Sequence, residues 1–166
     1  PGTLKNAWLG GSWDEFEGQF FPEFDPAKHI VPRGSRGVPV RRFIAFDYGF
    51  DMLAALLIGV GGDGALVVED EICRPGLTLS EAARCVAALA ARPADGISVG
   101  YAVASPDLWN RRQDSGMSGF EIMQAVPGMP PMCAADDRRI PGWRVLREQL
   151  AGGRLTICAD CRELIR

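Results

Sequence analysis

Two apolar runs joined by a glycine-rich turn set the first constraint on the fold. Residues 52–60 are almost entirely apolar and lead into Gly61-Gly62-Asp63-Gly64, a sequence typical of tight hairpin turns. Residues 65–73 follow as a returning strand, and residues 43–47 precede both runs with the pattern of a buried strand. Because strands that are consecutive in sequence usually pair, we expect three adjacent antiparallel strands.

Helical and strand patterns alternate through the rest of the chain. Thr78 and Glu81 fit a capping box, and the apolar residues behind them recur at helical spacing until Pro93. Residues 97–104 have strand character, and Ser118 with Glu121 opens a second capped helix that is expected to end near residue 126. Three strands followed by this alternation predict an α/β fold with a mixed sheet.

Three further elements are expected in the C-terminal part. The sequence predicts a brief strand at residues 131–135 and a last strand at residues 155–158. Between them Pro141 suits the first turn of a helix whose apolar face carries Trp143, Leu146 and Leu150.

The 166 residues suit one domain of ordinary size. Residues 1–40 are rich in Gly, Pro and aromatic side chains and show little periodicity, so we expect a linker there and an ordered domain over residues 41–166. No apolar stretch reaches the roughly 18 residues that a membrane span requires. The first residues also lack the basic start and apolar core of a signal peptide.

Five scattered cysteines, most of them within apolar runs, predict a reduced, cytosolic chain with buried thiols. Cys158 and Cys161 have the spacing of a zinc or redox pair. No second pair accompanies them, and His29, the single histidine, is distant in sequence. We therefore do not expect a structural zinc site, and a catalytic apparatus that depends on histidine is also disfavoured.

Acidic residues at strand ends are the candidates for chemistry. Asp47 closes the first predicted strand and Asp107 follows the fourth, so their carboxylates would converge if these strands were neighbours. Converging carboxylates favour Mg²⁺ or Mn²⁺, and two such ions about 3.5–4 Å apart hydrolyse phosphodiester bonds in many enzymes. Asp70 and Glu71 lie in a stretch expected to be mostly solvated, and they are weaker candidates for supporting the metal site.

Most of the positive charge is arginine, and it occurs in pairs that suit bidentate contacts with phosphate. The alternative explanation is a GC-rich genome that encodes arginine in place of lysine. The paired arginines that we consider as DNA contacts are Arg111, Arg112, Arg138 and Arg139. No complete phosphate-binding loop is present in the sequence.

With these residues identified, the chain resembles the C-terminal nuclease domain of the large terminase subunit of tailed bacteriophages. The resemblance lies in the order and spacing of several motifs along most of the chain: "WLGGSWDEFEGQFFPEF", "RRFIAFDYGF", "VVEDEICRPGLTLSEAA", "VASPDLWNRRQDSGMSGFEIM", "AADDRRIPGWRVLREQL" and "CRELIR". It implies a ribonuclease H-like fold and a two-metal endonuclease that cuts concatemeric, double-stranded viral DNA during packaging.

The resemblance also implies which residues bind the metal ions. Asp47 matches the ligand of the first nuclease strand. Many terminases have Asp-Pro-Ser at the end of the fourth strand, whereas this chain has Ser105-Pro106-Asp107. The aligned position is therefore a serine, and Asp107 is the nearest carboxylate. A third family ligand is expected in a segment beyond Arg166, and the ATPase motor is expected on the N-terminal side, with residues 1–40 closing it.

The partners implied are double-stranded DNA, the ATPase domain of the same chain, the small terminase subunit and the portal protein, all in the bacterial host cytoplasm. Two other functions stay open from the sequence. One is a docking module that binds DNA or portal without cutting. The other is an actin-like phosphotransferase of related fold, in which "FDYG" would meet nucleotide phosphates.

Overall fold

The computed structural model describes residues 21–49, 51–111, 113 and 116–166. Seven strands, five α-helices and one 3₁₀ turn are found in these residues. In chain order they are α1 (Pro26–His29), β1 (Ile30–Val31), β2 (Arg41–Tyr48), β3 (Met52–Val60), β4 (Leu66–Pro75), α2 (Leu79–Ala90), β5 (Val99–Ala104), the 3₁₀ turn (Pro106–Trp109), α3 (Gly119–Gln124), β6 (Met132–Ala134), α4 (Arg139–Ala151), β7 (Leu155–Cys158) and α5 (Arg162–Ile165).

The strands form one mixed sheet in the order β1-β7-β4-β3-β2-β5-β6. β3 pairs antiparallel with β2 on one side and with β4 on the other, which confirms the three adjacent antiparallel strands. β5 pairs parallel with β2, so the first and fourth predicted strands are neighbours. The predicted α/β class with a mixed sheet and flanking helices is therefore confirmed.

The main core lies between α2 and one face of the sheet. Every second residue of β2 is buried, and Ile44 and Phe46 pack in the same cluster as the apolar face of α2. In α2 the residues Ala82 and Val86 are wholly buried. Both predicted capping boxes are present, at Thr78–Glu81 for α2 and at Ser118–Glu121 for α3, so local sequence fixes where these helices begin.

The sheet begins earlier in the chain than residue 41. β1 pairs parallel with β7 at the sheet edge, and α1 precedes it. The buried side chain of His29 connects this segment to α4: the N–H of Asp25 donates to its Nδ1 (2.8 Å), and its Nε2 donates to the carbonyl oxygen of Leu150 (2.9 Å). A two-residue strand and a one-turn helix are too short to show periodicity, so sequence patterns could not reveal them.

The predicted apolar face of α4 is largely exposed. Leu150 is buried, but Trp143 is 40% exposed and Ile140 is 62% exposed. The helix meets the sheet near its C-terminal end, where Leu150 lies close to α1 and β7. The helical prediction is thus confirmed, although most of the apolar face that it presents is not covered by the described residues. No described helix is long and apolar enough to cross a membrane.

Arg42 is a buried cation that joins three parts of the fold. Its side chain is only 5% exposed, and all five guanidinium N–H groups find acceptors. Nε and Nη2 donate to the carboxylate of Glu69 in β4 (2.5 and 2.9 Å), while Nη1 and Nη2 donate to that of Asp95 (2.6 and 2.7 Å). Nη1 also donates to the carbonyl oxygen of Ile97 (2.7 Å). Arg42 therefore fixes β2 to β4 and to the loop that leads into β5.

Replacement of Arg42 by alanine would leave Glu69 and Asp95 facing each other without a counter-charge. We expect the free energy of unfolding to fall by about 3 kcal/mol, the lower end of the range for a broken buried ion pair, because both carboxylates are partly exposed. Arg41→Ala removes the adjacent, exposed guanidinium and should change it by less than about 0.5 kcal/mol. Urea denaturation of the two variants measures the difference.

The difference in the free energy of unfolding between wild type and Arg42→Ala should depend on pH. The hydrogen bond from Arg42 lowers the pKa of Asp95 from its ordinary value of 3.8 to about 2. The stabilisation that the ionised Asp95 carboxylate contributes is therefore complete at pH values above its ordinary pKa. It is lost as the pH falls through the lowered pKa of the folded protein. The stability gap between wild type and Arg42→Ala should narrow as the pH falls from about 4 to about 2. A gap that stays constant over this window would contradict the assignment.

Candidate functional site

Three neighbouring parallel strands end together at one edge of the sheet. Phe46 of β2 is in register with Ala104 of β5, and Ala104 is in register with Ala134 of β6. The residues that follow these positions, Asp47 and Ser105 among them, therefore lie at one level just beyond the parallel pairing, although β2 itself continues beside β3 to Tyr48. Ligand sites of open α/β sheets form at such carboxyl ends.

An open groove of about 430 Å³ lies at this edge. Small and apolar side chains, including Ala45, Ala54 and Val103, line its floor, and the polar side chains along it are those of Asp47, Ser105 and Asp137. The structure thus gathers oxygen donors from the ends of β2, β5 and β6 around one apolar surface.

Asp47 lies on the solvent side of the sheet. It is exposed, whereas its neighbour Phe46 points into the core. No hydrogen bond or ion pair engages its carboxylate among the described residues. The charge therefore avoids the cost of burial in an apolar core, and the carboxylate can accept an external cation.

The sequence Ser105-Pro106-Asp107 directs its serine, and not its aspartate, toward the groove. Ser105 is the N-cap of the 3₁₀ turn, with its Oγ 3.5 Å from the backbone nitrogen of Asp107. The Asp107 carboxylate faces Asn110 Nδ2 at 3.5 Å and does not line the groove. The structure therefore brings Ser105 beside Asp47 and leaves Asp107 outside.

Asp70 and Glu71 are engaged elsewhere. The Asp70 carboxylate pairs with Arg92 at 2.8 Å. The Glu71 carboxylate accepts the backbone N–H groups of Glu163 (2.7 Å) and Leu164 (2.9 Å) at the start of α5. Neither side chain lines the groove, so the structure does not bring these two acids together with Asp47.

The four arginines proposed as DNA contacts differ in their surroundings. Arg111 and Arg139 are exposed. Arg138 forms an ion pair with Asp136, from Nη2 to Oδ2 at 2.5 Å, which lowers the pKa of Asp136 from 3.8 to about 2. Arg112 lies outside the described residues.

Asp137 is a groove residue that the sequence analysis did not assign. The usable signal was similar to the one that singled out Asp47, an acidic residue at or just beyond the end of a predicted strand. That signal indicates a site residue only when β6 is known to be the parallel neighbour of β5. The pairing of a three-residue strand cannot be predicted from the sequence.

A larger cavity of about 490 Å³ lies away from these strand ends, between residues 32–38 and the loop before β5. Most of its charged side chains pair with one another or with adjacent residues, for example Arg33 with Asp160 at 2.9 Å and Arg92 with Asp70 at 2.8 Å, whereas Arg36 has no such partner among the described residues. Since most of these charges are neutralised within the protein, we do not assign the chemistry to this cavity.

Four of the five cysteines divide into two groups, and Cys85 is half-buried. Cys158 and Cys161 are buried, and burial raises the pKa of Cys161 to about 12. Cys73 and Cys133 are exposed, so the prediction of buried thiols is wrong for them; Cys73 lies near the end of β4, and Cys133 lies on β6, the edge strand of the sheet. Within the described ranges, no three His, Cys, Asp or Glu residues are grouped closely enough to hold a metal ion.

No protein-family model matches this chain, and no curated protein matches it in sequence. Solved structures do match its fold. The chain superimposes over its full length on 40% of a large terminase from a thermophilic bacteriophage, with a TM-score of 0.72 and 18% identity. The chain therefore spans less than half the length of that protein.

Two nuclease domains also match. For the P22 large terminase nuclease domain the TM-score is 0.63 at 14% identity, with 90% of this chain and 76% of that chain covered. For the large terminase nuclease from the thermophilic phage G20c the TM-score is 0.59 at 16% identity, with 88% of this chain and 77% of that chain covered. The resemblance inferred from sequence is thus confirmed at the level of fold, which is ribonuclease H-like.

Thiol labelling tests the division of the cysteines. Cys73 and Cys133 should react with an aromatic disulfide reagent within the mixing time at neutral pH, because both are exposed. Cys158 and Cys161 should react only after denaturation, since they are buried and carry raised pKa values. Mass spectrometry of the labelled peptides identifies the sites, and rapid native labelling of Cys161 would contradict the packing of α5.

Proposed function

Because the chain has the fold of the nuclease domains of phage large terminases, we propose that it hydrolyses phosphodiester bonds of double-stranded DNA during viral DNA packaging. The groove at the carboxyl ends of β2, β5 and β6 is the proposed active site. One observation supports this most directly: Asp47 presents an exposed carboxylate, without a partner in the described part of the chain, near the end of the strand where the resemblance places a metal ligand.

The donor atoms in the groove fit Mg²⁺ or Mn²⁺. Carboxylate and hydroxyl oxygens are hard ligands of the kind that both ions prefer. Asp47 would hold the two ions that such a mechanism requires, and Asp107 is the further ligand suggested by the resemblance. Since Asp107 does not line the groove, it would contact such an ion only after the turn Pro106–Trp109 rearranged. When bound, the ions would supply positive charge to the phosphodiester oxygens that become negative during hydrolysis.

Ser105 in the groove and the other candidate residues outside it have supporting roles in this proposal. The Ser105 hydroxyl would orient water or a phosphate oxygen by hydrogen bonding. Asp70 and Glu71, whose carboxylates pair with Arg92 and with the start of α5, would act only through the placement of β4.

The proposed contacts with DNA phosphates are made by Arg111, Arg112, Arg138 and Arg139. Among the three that the structure describes, Arg138 would bind phosphate most weakly, because Asp136 neutralises its charge. Phosphate contacts carry no base information, so we expect little sequence preference.

The remaining partners belong to the whole protein. We propose that residues 1–40 lead from an ATPase domain of the same protein, and that the assembly includes the small terminase subunit and the portal protein in the host cytoplasm. The chain covers 40% of the full-length match among the large terminases, which leaves ample length for a motor domain in a protein of that kind.

A second candidate function is a module that binds DNA or portal without cutting. The arrangement of the acidic residues favours this candidate, because the described part of the chain has no group of three potential metal ligands. The two candidates differ in their response to metal ions, so a cleavage assay separates them. No observation favours the actin-like phosphotransferase that the sequence alone left open.

Substitution of Asp47 tests the active site. Asp47→Asn removes the ligand charge with little change in volume, and we expect loss of plasmid cleavage in Mg²⁺ or Mn²⁺ with the free energy of unfolding unchanged within about 0.5 kcal/mol. Asp51→Asn, the same change at a nearby exposed position, should keep activity. Wild-type cleavage should stop on addition of a chelator; cleavage that persists in chelator would refute the metal-dependent mechanism.

Salt dependence of DNA binding tests the arginine contacts. Arg111→Ala and Arg139→Ala should each weaken binding to any duplex and lower the slope of log affinity against log salt by about 1, because each removes one phosphate contact. Arg154→Ala is the matched control, since Arg154 lies next to the opposite end of the sheet, beside the turn at Asp63. Equal effects of all three substitutions would indicate non-specific attraction instead of a defined surface.

A further inference from the structure

We propose that Asp137 is the second carboxylate that binds the divalent cation at the groove, together with Asp47. This inference rests on the function proposed above and extends it to a residue that neither the sequence motifs nor the resemblance assigns. It makes the loop between β6 and α4 part of the active site.

The pairing of β6 carries Asp137 to the groove. Ala102, Val103 and Ala104 of β5 are in parallel register with residues 132–134. The pairing continues one residue further, since the backbone N–H of Ala135 donates to the carbonyl oxygen of Ala104 at 2.8 Å. The chain is thus held beside the end of β5 until two residues before Asp137, and both Ala135 and Asp137 line the groove.

The two adjacent aspartates have different surroundings. Asp136 accepts hydrogen bonds from the side chain and the backbone N–H of Arg138, and it does not line the groove. Asp137 lines the groove and has no hydrogen bond or ion pair among the described residues. The Arg138 guanidinium binds Asp136 directly and acts on Asp137 only through electrostatic attraction, so the Asp137 carboxylate has no direct partner in the described residues.

The other acidic residues that were candidates for the metal site are less suited to be the second ligand. Asp107 does not line the groove, and Asp70 and Glu71 already have protein partners. Asp47 and Asp137 are therefore the two carboxylates on this groove in the described part of the chain. Like charges that share a groove favour a cation between them, and oxygen ligands select a hard divalent ion.

Mn²⁺ affinity, measured by calorimetry and by the paramagnetic resonance signal of free Mn²⁺, tests the assignment without requiring catalysis. Asp137→Asn should weaken Mn²⁺ binding by at least about tenfold, the loss seen even for residues that only support a metal ligand. Asp63→Asn is the matched control, with the same chemical change at an exposed position outside the groove, at the opposite end of the sheet, and should stay within about twofold of wild type. Far-ultraviolet circular dichroism should be unchanged in both variants, because both residues are exposed.

The outcomes separate this inference from the proposed function. If Asp47→Asn abolishes Mn²⁺ binding while Asp137→Asn binds as wild type does, the assignment of Asp137 is wrong and the proposed function stands. If Asp107→Asn gives the loss expected of Asp137→Asn, the second ligand is the one suggested by the resemblance. If wild type binds no Mn²⁺, or binds it equally well without Asp47, both the inference and the proposed metal site are wrong.

Discussion

The parallel pairing of β2 with β5, and of β5 with β6, is the constraint on which the proposed site depends. It ends three strands at one level, so that side chains far apart in sequence face one groove. A slip of one residue between β2 and β5 would turn every side chain of β5 to the opposite face. The buried guanidinium of Arg42 opposes such a slip, since it binds Asp95 and the carbonyl oxygen of Ile97 immediately before β5 begins.

Buried and more exposed side chains alternate along the eight residues of β2, so the residues that pack in the core and the proposed metal ligand lie on opposite faces of one strand. Arg42, Ile44 and Phe46 point toward the side covered by α2, where they supply ionic and apolar contacts. Asp47 points to the opposite face, which leaves its carboxylate in solvent and free of any protein partner in the described residues. A strand that is buried on one face can therefore carry a metal ligand at its end without burying an unpaired charge.

Local sequence predicted the features that depend on neighbouring residues. The hairpin at residues 61–64, the capping boxes at Thr78 and Ser118, and the acidic strand end at Asp47 all rest on short-range patterns, and the structure contains each of them. Features that depend on distant pairing could not be predicted. β1 is a strand only because β7 lies beside it, and Asp137 reaches the groove only because β6 pairs with β5. The orientation of Ser105-Pro106-Asp107 likewise depends on a 3₁₀ turn that has no periodic signal.

The central claim is that a divalent cation binds at the carboxyl ends of β2, β5 and β6. The most direct measurement is the anomalous scattering of Mn²⁺ in crystals of the protein grown or soaked with that ion. The account predicts an anomalous peak in the groove, within coordination distance of a carboxylate oxygen of Asp47. A peak only at another site, such as the cavity beside Asp70 and Arg92, or no peak at Mn²⁺ concentrations that support DNA cleavage, would contradict it.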